Sequence, residues 1–398
     1  MDHRLIHHLR QAFDWERPPA AGSPFARGSL GNTTLGPRLL TPQRLLDLIM
    51  RRSLAHHRFR CLVDGQDLHP QRYIKMGTSR RGYAVPIADM DRLGALLESG
   101  CTIVLDQVNL YDPTLEVACR ALQWWTGHTV QVNLYLTTGP ADGFELHWDD
   151  HDVIVVQLAG DKSWEVRGPS RVAPLFRDAA PNFEPSDDTH WAGGLEAGEA
   201  LYVPRGWWHR AGRTDRGAGY SLHASFGLHR RTGADWMTWL SDEARANELF
   251  RHDLDPDDRD GWLRHEDRLA AMAAQLAATR TPTEFLSARA AGLPAGRHIR
   301  THGVFGEPEA VVCVTEFPPQ IEHGDGMTAV VAAANRVTAP TNLWPAVELL
   351  TSGHPMRLDE VEAKTGLEVR PVASALVRAG ICAEATPELL AGYAGLVS

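Results

Sequence analysis

Hydrophobic and polar positions change rhythm several times along the chain. Between residues 41 and 127 the apolar side chains recur mostly at helical spacing, as in TPQRLLDLIMRR (41–52) and PTLEVACRALQWW (113–125). Strand-like pieces such as CTIVLDQ (101–107) sit between them. From residue 130 to about 228 the period shortens. VQVNLYLTT, ELHWD, DVIVVQL, KSWEV, ALYVPRG and GYSLHASFGL follow one another between Gly, Pro and Asp punctuation. Short β-branched or aromatic runs with turn signals and no intervening helix predict an antiparallel sandwich or barrel. Residues 232–297 read as helical again, with ADWMTWLSDEARANELF and WLRHEDRLAAMAAQLAA. The last stretch, with LWPAVELL, LDEVEAKTG and VRPVASALVRAGICAE, predicts helix, turn, helix and a short wing. Residues 1–40 are rich in Gly, Pro and Ser after a short amphipathic start and read as a wrapping arm. The chain therefore divides as an arm (1–40), a mixed α and β domain (41–230), a helical segment (231–300) and a C-terminal module (301–398).

Composition narrows the class. The 398 residues include 40 basic and 50 acidic side chains, for a net charge of −10; 43% are hydrophobic and 23% charged. These are ordinary values for a soluble globular protein and exclude collagen, a disordered chain and a membrane bundle. The acidic balance argues against general nucleic-acid affinity, which needs a basic footprint. Five scattered cysteines with no CxxC suggest neither a zinc knuckle nor a disulfide framework. MDHRLIHHLRQAF lacks the apolar core of a signal peptide, and no run approaches the ~20 apolar residues of a membrane span, so a cytoplasmic protein is expected.

The chemistry concentrates in Phe144-Glu145-Leu146-His147-Trp148-Asp149 and in Leu201-Tyr202-Val203-Pro204-Arg205-Gly206-Trp207-Trp208-His209. On a strand, His147 and Asp149 point the same way with Cα atoms roughly 6.6 Å apart, so both can reach one ion. A histidine from a distant strand would complete a face of two imidazoles and one carboxylate, the arrangement of non-heme Fe(II) oxygenases. His151 shares the face of His147 but lies roughly 13 Å along the strand, too far to share the ion. His209, directly after Trp207 and Trp208, is either that third ligand or a core residue. After the turn Ala159-Gly160-Asp161, alternation places Lys162 on the inward face with Trp164 and Val166. An inward lysine has to pair with an anion, because an unpaired buried charge is costly. Beside an iron site, that anion would be the distal carboxylate of a co-substrate.

The HxD pair, a lysine fifteen residues after the histidine, and LYVPRGWWH together resemble the JmjC oxygenases. Within the cupin superfamily the likeness is to the ribosomal-oxygenase branch, which holds bacterial arginine hydroxylases and human histidine hydroxylases of ribosomal proteins. Gln131-Val132-Asn133-Leu134-Tyr135-Leu136, HDVIVVQLAGDKSW and SLHASFGLH (221–229) match as well. The likeness spans roughly residues 20–230 and extends in layout to the C-terminus. It implies a double-stranded β-helix, or cupin jelly roll, with a helical surround, a helical dimerisation segment and a winged-helix-like end. It also implies Fe(II) on His147, Asp149 and His209, with 2-oxoglutarate chelating the metal and its 5-carboxylate on Lys162. Asn133 and Tyr135, on one face of their strand, and the pair Ser221 and His223 would serve the co-substrate from inside the barrel. The bacterial arginine hydroxylases carry arginine at the position of Lys162, so the target amino acid does not carry over.

The resemblance implies hydroxylation of a protein side chain, in a ribosomal protein or another basic target, by a homodimer. Alternatives are the same chemistry on a biosynthetic peptide or small natural product, and a non-catalytic cupin acting through its C-terminal helix-turn-helix. Lysine demethylation ranks below these. Trp236, Met237, Trp239, Leu240 and Phe250 would form either the dimer face or core. From Thr341 onward the basic residues are Arg357, Lys364, Arg370 and Arg378. The acidic ones are Glu348, Asp359, Glu360, Glu362, Glu368, Glu384 and Glu388, giving 4 − 7 = −3. An acidic module predicts a scaffold or a site for a basic protein, with no nucleic-acid partner.

Overall fold

The structure is a computed structural model that describes the chain except residues 33, 177–181, 255–258, 295–296, 302 and 398 and the side chains of 259–264. It falls into two compact units, Met1–His229 with Ala385–Ser398, and Arg230–Glu384. The first unit opens with α1 (Arg4–Phe13), β1 (Ala26–Ser29), α2 (Leu35–Leu39), α3 (Pro42–Met50), β2 (Phe59–Val63) and β3 (Gln66–Asp67). A hairpin of β4 (Ile74–Thr78) and β5 (Ala84–Ala88), α4 (Met90–Ser99), β6 (Thr102–Leu105) and α5 (Pro113–Thr126) follow. Then come β7 (Thr129–Thr138), β8 (Asp152–Pro169), β9 (Thr189–Glu196), β10 (Glu199–Val203), β11 (Trp207–Gly212) and β12 (Tyr220–His229).

Local chemistry explains the elements that carry the site. Asp112 caps α5, its carboxylate accepting from the Thr114 and Leu115 amides; Pro113 starts the helix and Gly127, at φ +71°, ends it. In β7, Val132, Leu134 and Leu136 face the core while Asn133 and Tyr135 face the other way. Burying each such side chain contributes about 1.5–3 kcal/mol. The strands run β1-β10-β8-β12-β7-β6-β2-β3, with every neighbouring pair antiparallel. The 18-residue β8 pairs with β10 and β12 along its first half, then with β9 and β11 along its second. One strand thus serves two sheets, and the expected antiparallel cupin arrangement results. Gly160, at φ +63°, sits where β8 passes from one sheet to the other; a Cβ there would lie 1.8 Å from the Tyr220 carbonyl oxygen.

Residues 26–29, within the stretch read as an arm, form the edge strand β1 against β10. The strands β2 to β5 were not read from the sequence either. Val63-Asp64-Gly65-Gln66 carried the signal, since Asp64 and Gly65 take φ of +50° and +75° in a two-residue hairpin turn.

The second unit contains α6 (Gly233–Ala244), α7 (Arg259–Thr279) and α8 (Pro282–Gly292), then β13 (Ala310–Cys313), β14 (Gln320–Gly324), β15 (Met327–Ala332) and β16 (Asn335–Pro340). It closes with α9 (Trp344–Leu350), β17 (Met356–Arg357), α10 (Leu358–Thr365), α11 (Arg370–Arg378) and β18 (Cys382–Glu384). The three segments of the final stretch form the helices α9, α10 and α11, and β18 after them pairs with β13. Leu240 and Leu249 are buried and Trp239 packs on Phe285, while Met237 stays exposed. The meander β14-β15-β16 was not anticipated, although Asp325-Gly326 again marks a tight turn. α12 (Pro387–Tyr393) belongs to the first unit and packs on α5. No helix among the described residues is long and apolar enough to cross a membrane.

Candidate metal centre and its cavity

Phe144–Asp149 is not the regular strand its alternation predicts. The segment runs beside β11 but touches it only in places: the Gly143 amide donates to Ala211, and His147 and His209 exchange both backbone hydrogen bonds, at 3.1 and 2.7 Å. Four residues separate Gly143 from His147, yet only two separate Ala211 from His209, so the extra residues bulge and break the ladder. The paired backbones nevertheless bring the two imidazoles side by side, with ring centroids 4.4 Å apart.

A tight turn sets this register. The Trp207 amide donates to Pro204 across Arg205 and Gly206, and Gly206 takes φ +84°, the third position of a type II turn. The Gly206 amide donates to the Asp149 carbonyl and the Arg205 amide to the Asp152 carboxylate, each at 2.9 Å. The turn therefore anchors both ends of the motif at once.

His147, Asp149 and His209 each offer a ligand atom, and these atoms lie within 4.8 Å of one another. His147 Nδ1 is 2.7 Å from the Glu145 carbonyl and His209 Nδ1 is 3.1 Å from the Trp207 carbonyl. A carbonyl only accepts, so both Nδ1 atoms donate to the backbone, which leaves the two Nε2 atoms as the candidate ligand atoms. His209 Nε2 lies 3.5 Å from Asp149 Oδ2. Burial, with His147 adding to it and Asp149 opposing, pushes His209 well below the usual imidazole range and keeps it neutral. Two imidazoles and a carboxylate on one side of an open volume are the donor set that a six-coordinate Fe(II) accepts, with positions to spare. The residues present fit such an ion.

The open volume is a cavity of about 610 Å³, lined among others by Asn133, Tyr135, Trp164 and His223 together with the three candidate ligands. Lys162 enters it from β8. Its side chain is 1% exposed, its amine donates to Thr137 Oγ1 at 3.0 Å, and it makes no ion pair among the described residues. Burial pulls the amine down to about 7, against Asp142 and with a smaller push from Arg213. Thr137 also bonds Thr102 Oγ1 at 2.9 Å. The sequence reading missed Thr137, although it shares the face of Asn133 and Tyr135 on β7. Tyr135 stacks on His223 at 4.7 Å, and burial raises its phenol. Burial and the charge of Lys162 push His223 well below its usual range. Asn133 turns its side-chain oxygen to the Gln107 amide at 2.9 Å.

Ser221 is buried but does not line the cavity; it accepts from the Gln157 side chain at 2.8 Å. Beside it β8 carries a bulge, because Leu222 pairs with Ala159 while His223 pairs with Gln157, which leaves Leu158 unopposed. His151 lines the same cavity but is not one of the three clustered ligands, and it stacks on His229 at 4.4 Å. Trp207 stacks on Phe25 and Trp208 donates to Ser170, so both tryptophans before His209 pack.

Residues 111–236 match the JmjC domain family. The bifunctional lysine-specific demethylase and histidyl-hydroxylase NO66 of Caenorhabditis elegans is 33% identical over 145 residues, covering 35% of this chain and 19% of that protein. Ribosomal oxygenase 1 of Rattus norvegicus is 33% identical over 182 residues, covering 44% and 29%. The chain thus matches less than a third of the length of these curated relatives. A solved structure of the Escherichia coli ribosomal oxygenase YcfD, in complex with cobalt and 2-oxoglutarate, shares the fold. It superposes with a TM-score of 0.53 at 16% identity, covering 87% of this chain and 90% of that one. Residues 111–236 thus carry a JmjC domain, similar in sequence to ribosomal oxygenases, on a chain that shares the fold of a bacterial one.

Proposed function

We propose that the cavity is an Fe(II)- and 2-oxoglutarate-dependent oxygenase centre that hydroxylates an amino-acid side chain of a protein, with ribosomal proteins the first class to test. One observation carries this reading. Two imidazoles whose Nδ1 atoms are held by backbone carbonyls, a carboxylate and a buried lysine with no ion pair among the described residues face one cavity. The names of the relatives, an E. coli neighbour bound to cobalt and 2-oxoglutarate among them, point the same way.

In this reading His147, Asp149 and His209 hold the metal by one face and leave the other for ligands. Lys162, steadied by Thr137, takes the distal carboxylate of the keto acid as a charge-assisted hydrogen bond. Tyr135, Asn133 and His223 line the space between, and Val153, Val155, Val203 and Trp164 supply apolar wall that excludes water. When bound, the metal and keto acid supply oxidation of a substrate C–H by dioxygen, with succinate and carbon dioxide as by-products. The protein contributes orientation and a dry site. Residues 231–300 as a homodimer contact, and 301–398 as an acidic scaffold for a basic protein, belong to the same proposal.

The purified protein with Fe(II) is expected to convert 2-oxoglutarate to succinate. Mass spectrometry of ribosomal proteins from cells with and without the gene is expected to show the gain of one oxygen atom on one of them. No succinate under any metal loading overturns the enzymatic reading, and succinate with unmodified ribosomal proteins overturns the substrate class.

A further inference from the structure

Lys162 is placed where a lysine is hard to keep charged. Its amine is fully enclosed, and its one hydrogen-bond partner, the Thr137 hydroxyl, is neutral and can donate to a free amine as readily as accept from an ammonium. The groups around it do not hold a positive charge in place. From the segment after β7, Asp142 is the one carboxylate acting on it, too distant for an ion pair, while its side chain accepts from Thr214. From the loop after β11 comes Arg213, itself buried and cationic and paired to Asp161. From β12 comes the neutral imidazole of His223, and from β7 the phenol of Tyr135 stacked on it. The cross-strand neighbour on β9 is the apolar Leu195. Gly143 lies against the amine, and a Cβ there would approach Nζ to 3.4 Å. Enclosure without a counter-charge favours the neutral form of a lysine. A divalent cation in the same cavity adds positive charge and works in the same direction.

We propose that Lys162 is largely a neutral amine while the cavity lacks a dicarboxylate, and that it becomes an ammonium as 2-oxoglutarate binds. The balance is simple. The amine takes one proton from solvent, no bond of the keto acid changes, and the new ammonium meets the incoming 5-carboxylate. Co-substrate affinity is therefore linked to pH through this side chain. An amine near 7 implies, at pH 8, uptake of about nine-tenths of a proton per bound molecule. Affinity then falls roughly tenfold per pH unit above that point. Arginine at this position would show neither effect, since a guanidinium stays charged. The inference rests on the oxygenase reading and specifies how its co-substrate is held.

The test is calorimetric and needs no turnover. 2-Oxoglutarate is titrated anaerobically into the full chain loaded with Mn(II), between pH 7.5 and 9, in buffers of different ionisation enthalpy. The wild type is expected to show heats that vary with buffer, reporting close to one proton taken up at pH 8. Lys162→Arg is expected to bind with no buffer dependence and a flat pH profile. Lys162→Gln, which keeps a polar group without a titrating one, is expected to bind at least tenfold more weakly with no uptake. Binding by the wild type without proton uptake, or undiminished uptake in either variant, overturns the proposal. Failure of the Mn(II)-loaded wild type to bind 2-oxoglutarate at any pH overturns the oxygenase reading itself.

Discussion

His147 and Asp149 sit two apart, a spacing that is weak alone, and the apolar strand after them with the Pro-Arg-Gly turn before His209 made it point to a shared ion. The finding that their ligand atoms and that of His209 lie within 4.8 Å depends on a backbone pairing that no local spacing reveals. His147→Ala or Asp149→Ala is expected to lower succinate formation at least a hundredfold while thermal unfolding stays near that of the wild type. Normal turnover in either variant, followed as succinate release, removes that residue from the metal face. A different histidine governs acid stability. His3 caps α1, its Nδ1 accepting from the Leu5 amide at 3.1 Å, and burial pulls it down to about 4. Between its ordinary value of 6.5 and that lowered one, the unfolded chain binds the extra proton and the folded chain does not. Stability thus rises with pH across that window and is lost as pH falls through it, by on the order of 3 kcal/mol. Urea unfolding at pH 7 and 4.5 is expected to show this slope, and His3→Asn, which keeps a cap but does not titrate, is expected to lose that share of it.

At the level of elements, alternation revealed most of the barrel strands because one face of each is buried. It failed at Phe144–Asp149, where a bulge breaks the ladder, and it did not reveal the bulge at Leu158 of β8 beside Ser221. Bulges leave no mark in a period of two. The hairpins β2–β3 and β14–β15 did leave marks, Asp64-Gly65 and Asp325-Gly326, which periodicity overlooked because turn chemistry carries the signal there. The turn at Gly206 is the element on which the metal face depends. Gly206→Ala forces a Cβ to within 2.5 Å of Pro174 and a side chain into φ +84°. It is expected to cost about 1–3 kcal/mol in thermal unfolding. It is also expected to weaken Mn(II) binding, read by titration, because His209 loses its register; unchanged metal affinity would detach the turn from the site.

For the molecule as a whole, the broad plan of barrel, helices and helix-turn-helix could be read in sequence, but the assignment of residues 385–398 to the first unit could not. Nothing in PELLAGYAGLV announces its partner, since contact between positions hundreds of residues apart has no local period. Tyr393 accepts a hydrogen bond from Arg120 at 2.8 Å, Arg38 donates to the Ala391 and Ala394 carbonyls, and Leu389 and Leu396 are buried. Gly392 lies so close to α5 that a Cβ would fall 2.5 Å from the Pro113 carbonyl oxygen. Ending the chain after Glu384 removes all of this. It is expected to lower the stability of the metal-binding unit by several kcal/mol, at roughly 1.5–3 kcal/mol per buried side chain lost. Denaturation monitored by metal release checks it.

The Arg4 amide donates to the Leu396 carbonyl, so α1 is closed by residues made long after it. The barrel can gather its strands while translation proceeds, but this seam waits until residue 396 has cleared the exit tunnel. Final assembly of the first unit therefore lags behind its strands. A nonsense codon between residues 230 and 396 would leave it ajar, even though every strand of the barrel had already been made.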